Sequence, residues 1–174
     1  DMRTAGMGEE ASQGEMARFR RELGLRKVPW ISRYVSERLT EKNESILLFA
    51  WHREVCYQLA EELIRFKPLL LVGGASADAR ESAFLAFQDG ATKLLILNIA
   101  VGGRGHNLQR ADRVIFGEFS WTDETNKQCE KRASRKGSDK SFVRCEYVVC
   151  PNSMDEIMLR SVFSKETRVR KVIG

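Results

Sequence analysis

From Ser45 onward, short apolar runs alternate with amphipathic stretches, and this alternation leaves the chain very few architectures. The runs are SILLFAW (45–51), LLLVG (69–73), KLLILNI (93–99), RVIFGEF (113–119) and SFVRCEYVV (141–149). Unbroken apolar runs of this length are what strands buried on both faces look like. Between them, helical spacing predicts helices over Glu54 to Phe66, Asp78 to Phe87, Glu124 to Lys136, and Met154 to about Lys165. Such an order predicts one doubly wound α/β unit over 45–165, with a mainly parallel sheet of at least five strands and binding loops at the strand carboxyl ends. No internal repeat or low-complexity tract interrupts it.

Ahead of this unit, residues 1–14 are polar and without periodicity, the pattern of a disordered segment or linker. Met16, Phe19 and Leu23 then recur at helical spacing and end near Gly24. After Pro29, which suits a helix start, Ile31, Tyr34, Val35 and Leu39 share a face. Two lead-in helices are therefore expected within 15–44. The basic tail, 166–174, is expected to be solvated or to touch phosphates. Asp1 is not an initiator methionine, which fits a piece of a longer chain or a processed one.

With 174 residues and 43% of them hydrophobic, the chain can bury one sizeable core. The net charge of +5 favours a polyanionic partner, although 24 interspersed acids keep long-range attraction modest. Cys56, Cys129, Cys145 and Cys150 form no CxxC pair, and His52 and His106 show no ligand spacing to them. Neither a zinc site nor a disulfide framework is indicated, and the cysteines read as buried thiols of a reduced, intracellular protein. No apolar run approaches the ~20 residues that span a bilayer, and the first residues lack the basic and apolar regions of a signal peptide. A soluble, non-secreted chain is expected.

Three segments fall at strand carboxyl ends: GGASADAR (73–80), NIAVGGRGHNL (98–108) and the start of the helix after Trp121. Gly102, Gly103 and Gly105 let main-chain N–H groups approach an anion closely, though a glycine cluster also suits a plain flexible turn. GGRGHNL lacks the third glycine of a dinucleotide fingerprint, and no helix obviously opens there. In the next helix, capped by Asp123 and ended by Gly137, Gln128, Arg132 and Arg135 are spaced to share one face. That face reads either as a solvated surface or as a guanidinium clamp on a phosphoryl group. The chain has no G-x-x-x-x-G-K-[ST] loop and no evident Mg²⁺-holding acid after a strand, so a clamp must act on a nucleotide held by something else.

At this point the residues resemble a known family. ILLFAWHREV (46–55), GGASADARESAFLAFQDG (73–90), NIAVGGRGHNLQRADRVIFGEFSW (98–121) and QCEKRASRKGS (128–138) are similar, in order and internal spacing, to motifs of the second RecA-like lobe of superfamily 2 Swi/Snf-type DNA translocases, nearest the annealing-helicase branch and its phage and bacterial relatives. The likeness covers roughly Ser45 to Lys165. It implies a RecA-like doubly wound sheet of about five or six strands. It also implies that Arg132 and Arg135, with Gln128 helping, approach the ATP γ-phosphate across an interlobe cleft. Gly103, Gly105 and Asn107 would line the nucleotide edge. Ala75, Ser76, Arg80, Asn98 and Ile99 would follow the phosphates of one DNA strand, and Trp121 would sit near the duplex. ATP and Mg²⁺ would be bound mainly by an N-terminal lobe, double-stranded DNA would be the partner, and the isolated lobe would be monomeric and inactive. The chain departs from the family pattern at Ser134 (commonly histidine), Ser138 (glutamine), Ile99 (threonine) and in a W-T-D turn where W-N-P is usual. Two other functions fit the same lobe: a DNA- or protein-docking module, and an RNA-helicase lobe.

Overall fold

The five apolar runs become five strands of one sheet in the computed structural model, which describes residues 2–102, 107–134 and 142–163. The strands are β1 (Ile46–Ala50), β2 (Leu69–Leu71), β3 (Leu94–Asn98), β4 (Arg113–Phe116) and β5 (Arg144–Tyr147), in the order β2-β3-β1-β4-β5. Every pairing is parallel. β1, β3 and β4 are buried along their whole lengths, because a parallel strand with helices above and below has no wet face.

Alternate side chains of β1 feed two cores. Ile46, Leu48 and Ala50 face a core with helices α1 (Met2–Glu41) and α2 (Arg53–Glu62). Leu47 and Phe49 face the other, built with α3 (Ala77–Gln88), α4 (Ile99–Gly102), α5 (Asp123–Glu130) and α6 (Met154–Phe163). The α/β, doubly wound RecA-like class expected from sequence is the one found, with an entirely parallel sheet.

The N-terminal region differs from expectation. Residues 2–41 run as one helix where a structureless segment over 1–14 and two separate helices were expected. Gly24 does not end a helix; it sits against Glu118 and Val55, with no room for a Cβ. Pro29 lies inside the helix and is exposed, so the backbone hydrogen bond its ring removes is on the side that water reaches. Two more local readings change. A single helical turn, α4, opens directly after β3, where only a loop was expected. α5 ends at Glu130 instead of continuing to Lys136, and its N-cap is Thr122, not Asp123, which pairs one turn further along with Lys127 at 2.6 Å.

Long-range polar ties brace the layers. Lys27 on α1 donates to Asp155 on α6 at 2.7 Å and to the Val148 carbonyl at 3.1 Å. Beneath β4 and β5, Arg113 makes a bidentate pair with Glu44 at 2.7 and 2.8 Å and also pairs with Glu146, which accepts from the Tyr34 hydroxyl at 2.7 Å.

Only two of the four cysteines are fully buried, which corrects the sequence reading: Cys56 and Cys129 are, while Cys145 and Cys150 are partly accessible. Burial pushes the Cys56 and Cys129 thiols up to about 12. A maleimide at pH 7.5 is therefore expected to modify no more than Cys145 and Cys150 in the native chain, with the other two reacting only on unfolding, as counted by intact mass.

Candidate functional site

Where neighbouring parallel strands send their connections to opposite faces of a sheet, a crevice opens at their carboxyl ends. Here it lies around β1. The chain leaving β1 turns toward the α2 face, whereas the chains leaving β3 and β4 turn toward the face of α4 and α5.

Two side chains stitch this crevice. Asn98 donates from Nδ2 to the Trp51 carbonyl at 2.6 Å, and its Oδ1 accepts from Ala100 N–H at 3.2 Å, which starts α4. Glu118, buried just after β4, accepts from Trp51 N–H at 2.9 Å and His52 N–H at 2.8 Å on one oxygen, while its other oxygen lies 2.6 Å from His52 Nδ1. One carboxylate thus satisfies the backbone at the start of α2, where helix N–H groups have no internal partner.

Gly24 of α1 is what lets Glu118 fit. A Cβ at position 24 would lie 2.5 Å from Glu118 Oε1 and 2.9 Å from Val55 Cγ2. Gly24→Ala is expected to cost about 2 kcal/mol through overpacking and loosened Glu118 hydrogen bonds. Gly14, in the same helix, has nothing within 4 Å, so Gly14→Ala should instead stabilise by up to about 1 kcal/mol. Denaturant unfolding of the two variants checks the opposite signs.

A second cluster follows β4. Asn126, fully buried in α5, closes a two-bond ring with Ser120, accepting from its N–H at 2.8 Å and donating to its carbonyl at 3.0 Å. This holds the turn through Trp121, which is 40% exposed. Arg20 reaches over from α1, donates to the Phe119 carbonyl at 3.0 Å, and lies 5.0 Å from the Trp51 ring and 6.0 Å from the Trp121 ring. Burial lowers its pKa, and the nearby Glu118 opposes that shift.

The third cluster starts at Leu108, after the glycine segment in sequence. Leu108 N–H donates to the Arg132 carbonyl at 2.7 Å, which joins the far end of the loop to the turn after α5. Asn107 is thereby one residue from this junction; both Asn107 and Arg132 are partly buried. Gln128 is exposed on α5. Arg132 follows the helix rather than standing on it, so the shared helical face expected for Gln128 and Arg132 is replaced by a helix residue and a turn residue. Gly103, Gly105 and Arg135 lie outside the described residues.

Beyond β2, Gly74 takes φ +95°, a conformation that favours glycine, and the chain enters α3 with Ser76 as N-cap, its hydroxyl accepting from Ala79 N–H at 3.1 Å. Ser76 is exposed; Ala75 and Arg80 are partly buried. Arg53 donates to the Gly73 carbonyl at 2.5 Å, tying this loop to the start of α2. The Ile99 side chain is buried, and the Asn98 amide is occupied by the two bonds above. Trp121 is three strand positions from the β2 exit, about 14 Å at usual strand spacing, so the residues expected along DNA spread across the sheet edge. Among the described residues no cluster of three or more His, Cys, Asp or Glu could hold a metal ion, and no helix is long and apolar enough to cross a membrane.

Comparison with known proteins decides the family. Residues 26–137 match the family described as helicase conserved C-terminal domain, well over half of the 174 residues. The chain belongs to this family. Among relatives of this helicase C-terminal domain, the SWI/SNF-related matrix-associated actin-dependent regulator of chromatin subfamily A-like protein 1 of Drosophila melanogaster is 26% identical over 137 residues, covering 77% of the chain and 18% of that protein. The probable ATP-dependent DNA helicase CHR12 of Arabidopsis thaliana is 34% identical over 110 residues, covering 62% of the chain and 10% of that protein. The crystal structure of the C-terminal part of the Fun30 ATPase domain superposes with a TM-score of 0.72 at 24% identity, covering 78% of the chain and 44% of that structure, a likeness of fold. The domain spans less than a fifth of the length of these curated relatives.

The motifs of this helicase C-terminal domain were legible in sequence, but Glu118, Asn126 and Arg20 were not. An acid inside the apolar run RVIFGEF was the one signal that could have pointed to Glu118.

Proposed function

We propose that this domain is the second motor lobe of an ATP-dependent translocase on double-stranded DNA. An N-terminal lobe of the same protein would bind ATP and Mg²⁺, and closure of the two lobes would bring Arg132 and Arg135 to the γ-phosphate. Their guanidinium groups match phosphate oxygens in pairs and would neutralise charge that develops during transfer. Gln128 would assist, and Gly103, Gly105 and Asn107 would line the nucleotide edge. Mg²⁺ belongs to the other lobe in this reading, because the buried acids after β4 and β5 are already engaged: Glu118 accepts from the backbone at two points and pairs with His52, and Asp155 accepts from Lys27 and the Cys150 N–H.

The observation that supports the reading is the 2.7 Å hydrogen bond from Leu108 to Arg132, which anchors the arginine turn to the last residue of the segment 98–108. DNA would run along the carboxyl edge of the sheet, past the start of α3 with Ala75, Ser76 and Arg80, past Asn98 and Ile99 through their backbone, and past Trp121. Contacts of this type hold phosphates without reading bases, as a translocase requires.

The test is ATP hydrolysis by the full-length protein containing this lobe, with and without duplex DNA, for wild type and Arg132→Ala. Stimulation by duplex and loss on substitution are expected. Unchanged turnover in Arg132→Ala would favour a docking module, and stimulation by RNA alone would favour an RNA helicase.

A further inference from the structure

Nothing in regular helix geometry sets the direction in which Arg132 points. α5 stops at Glu130, and the next residues form turns closed by three-residue hydrogen bonds, Arg132 N–H to the Cys129 carbonyl and Ala133 N–H to the Glu130 carbonyl, both 3.1 Å. Such turns are tighter and less regular than an α-helix. Their orientation has to come from tethers outside them.

One tether is the Leu108 hydrogen bond to the Arg132 carbonyl. The other is Tyr147 at the end of β5, whose hydroxyl donates to Glu130 Oε1 at 2.9 Å. The Tyr147 ring is itself locked. It stacks on Phe116 with centroids 4.5 Å apart and 12° between planes, and it stands edge-on to Phe119 at 5.3 Å and Phe163 at 5.2 Å. Burial, then the neighbouring Glu130 charge, raises the phenol pKa, so the hydroxyl stays a donor at physiological pH. On either side of the two tethers, Cys129 and Ala133 are fully buried.

We infer that Tyr147 is a positioning residue for the arginine turn: its hydrogen bond to Glu130 fixes the end of α5, and with it the line along which Arg132 leaves the turn. The inference rests on Arg132 acting at the nucleotide, as proposed above. A tyrosine used only for packing would be replaceable by phenylalanine, since the ring makes all the aromatic contacts. A tyrosine that aims a catalytic group would not, because small misplacements of such a group slow the chemistry steeply while leaving substrate binding intact.

The experiment uses the full-length protein with ATP and saturating duplex DNA. Tyr147→Phe is expected to lower kcat about ten-fold while KM for ATP stays within about two-fold. Glu130→Ala should match it, and the double variant should fall no further, because both remove one bond. Glu130→Gln, whose amide oxygen still accepts from the phenol, should keep most of the rate. Hydrogen exchange of the peptide spanning 126–134 should quicken in Tyr147→Phe, while the thermal midpoint moves by no more than a few degrees. Wild-type kcat in Tyr147→Phe would overturn the inference. If Arg132→Ala then still loses turnover, only the positioning role fails; if Arg132→Ala is also unaffected, the proposed role of Arg132 fails with it.

Discussion

Arg132→Ala in the full-length protein is expected to reduce DNA-stimulated ATP turnover about 10³-fold or more, the scale on which a guanidinium at a transferring phosphoryl group acts. The effect should fall mainly on kcat. A group that reaches the γ-phosphate only on closure stabilises the transition state more than the bound substrate, so KM should move little. Arg132→Lys distinguishes charge from geometry: an ammonium keeps the charge but lacks the planar fork, so it should recover only a small part of the loss. Both variants should bind duplex DNA with wild-type affinity and the same salt dependence, since the proposed phosphate contacts lie at the α3 start and the Trp121 turn. Equal losses in DNA affinity and turnover would move Arg132 from the nucleotide to the DNA.

How far such a site can be read without coordinates depends on the range over which its signals act. The buried strands β1, β3 and β4 were legible to within a residue or two at their starts, because burial on both faces writes itself as an apolar run. β2 and β5 are the edges of the sheet, only partly buried, and came out at three and four residues, shorter than expected. The glycine loop and the arginine segment were found by residue type and spacing. What hydrogen-bonds across the sheet was not. Trp51 and Glu118 are 67 residues apart, and Arg20 and the Phe119 carbonyl 99, so no local pattern announces either tie. The same long range explains the misread boundaries. Gly24 looked like a helix stop because local propensity penalises glycine, whereas the position is glycine-sized for Glu118. Gly137 as a helix stop predicts a longer helix for the arginines. In the structure the Arg132 carbonyl, which a continuing helix would offer to the N–H four residues on, is taken by Leu108.

The largest stability effect is expected at the opposite edge of the sheet, in Arg113→Ala. Arg113 is 3% exposed, and its guanidinium is shared between Glu44, in a bidentate pair at 2.7 and 2.8 Å, and Glu146. Removing it leaves two mostly buried carboxylates without their cation, and breaking a buried pair from one side costs about 3–5 kcal/mol. For a chain of this size that corresponds to a thermal midpoint lower by roughly 6–20 °C. The pH dependence identifies the cause. The hydrogen bonds from Arg113 hold the Glu44 carboxyl below its usual range, so this carboxylate contributes stability that is complete above its unfolded value, about 4.3, and is lost as pH falls through the lower folded value. The wild type should therefore lose this contribution on acidification, while Arg113→Ala, which has no contribution left to lose, should show a flatter acid limb. Urea unfolding of both proteins between pH 3 and 7 measures the difference. A gap of several kcal/mol at pH 7 that narrows below about pH 4 is the expected result. A gap below about 1 kcal/mol at every pH would mean that water already screens the pair as it does at a surface, and that the network holds β4 and β5 no more firmly than their backbone hydrogen bonds do.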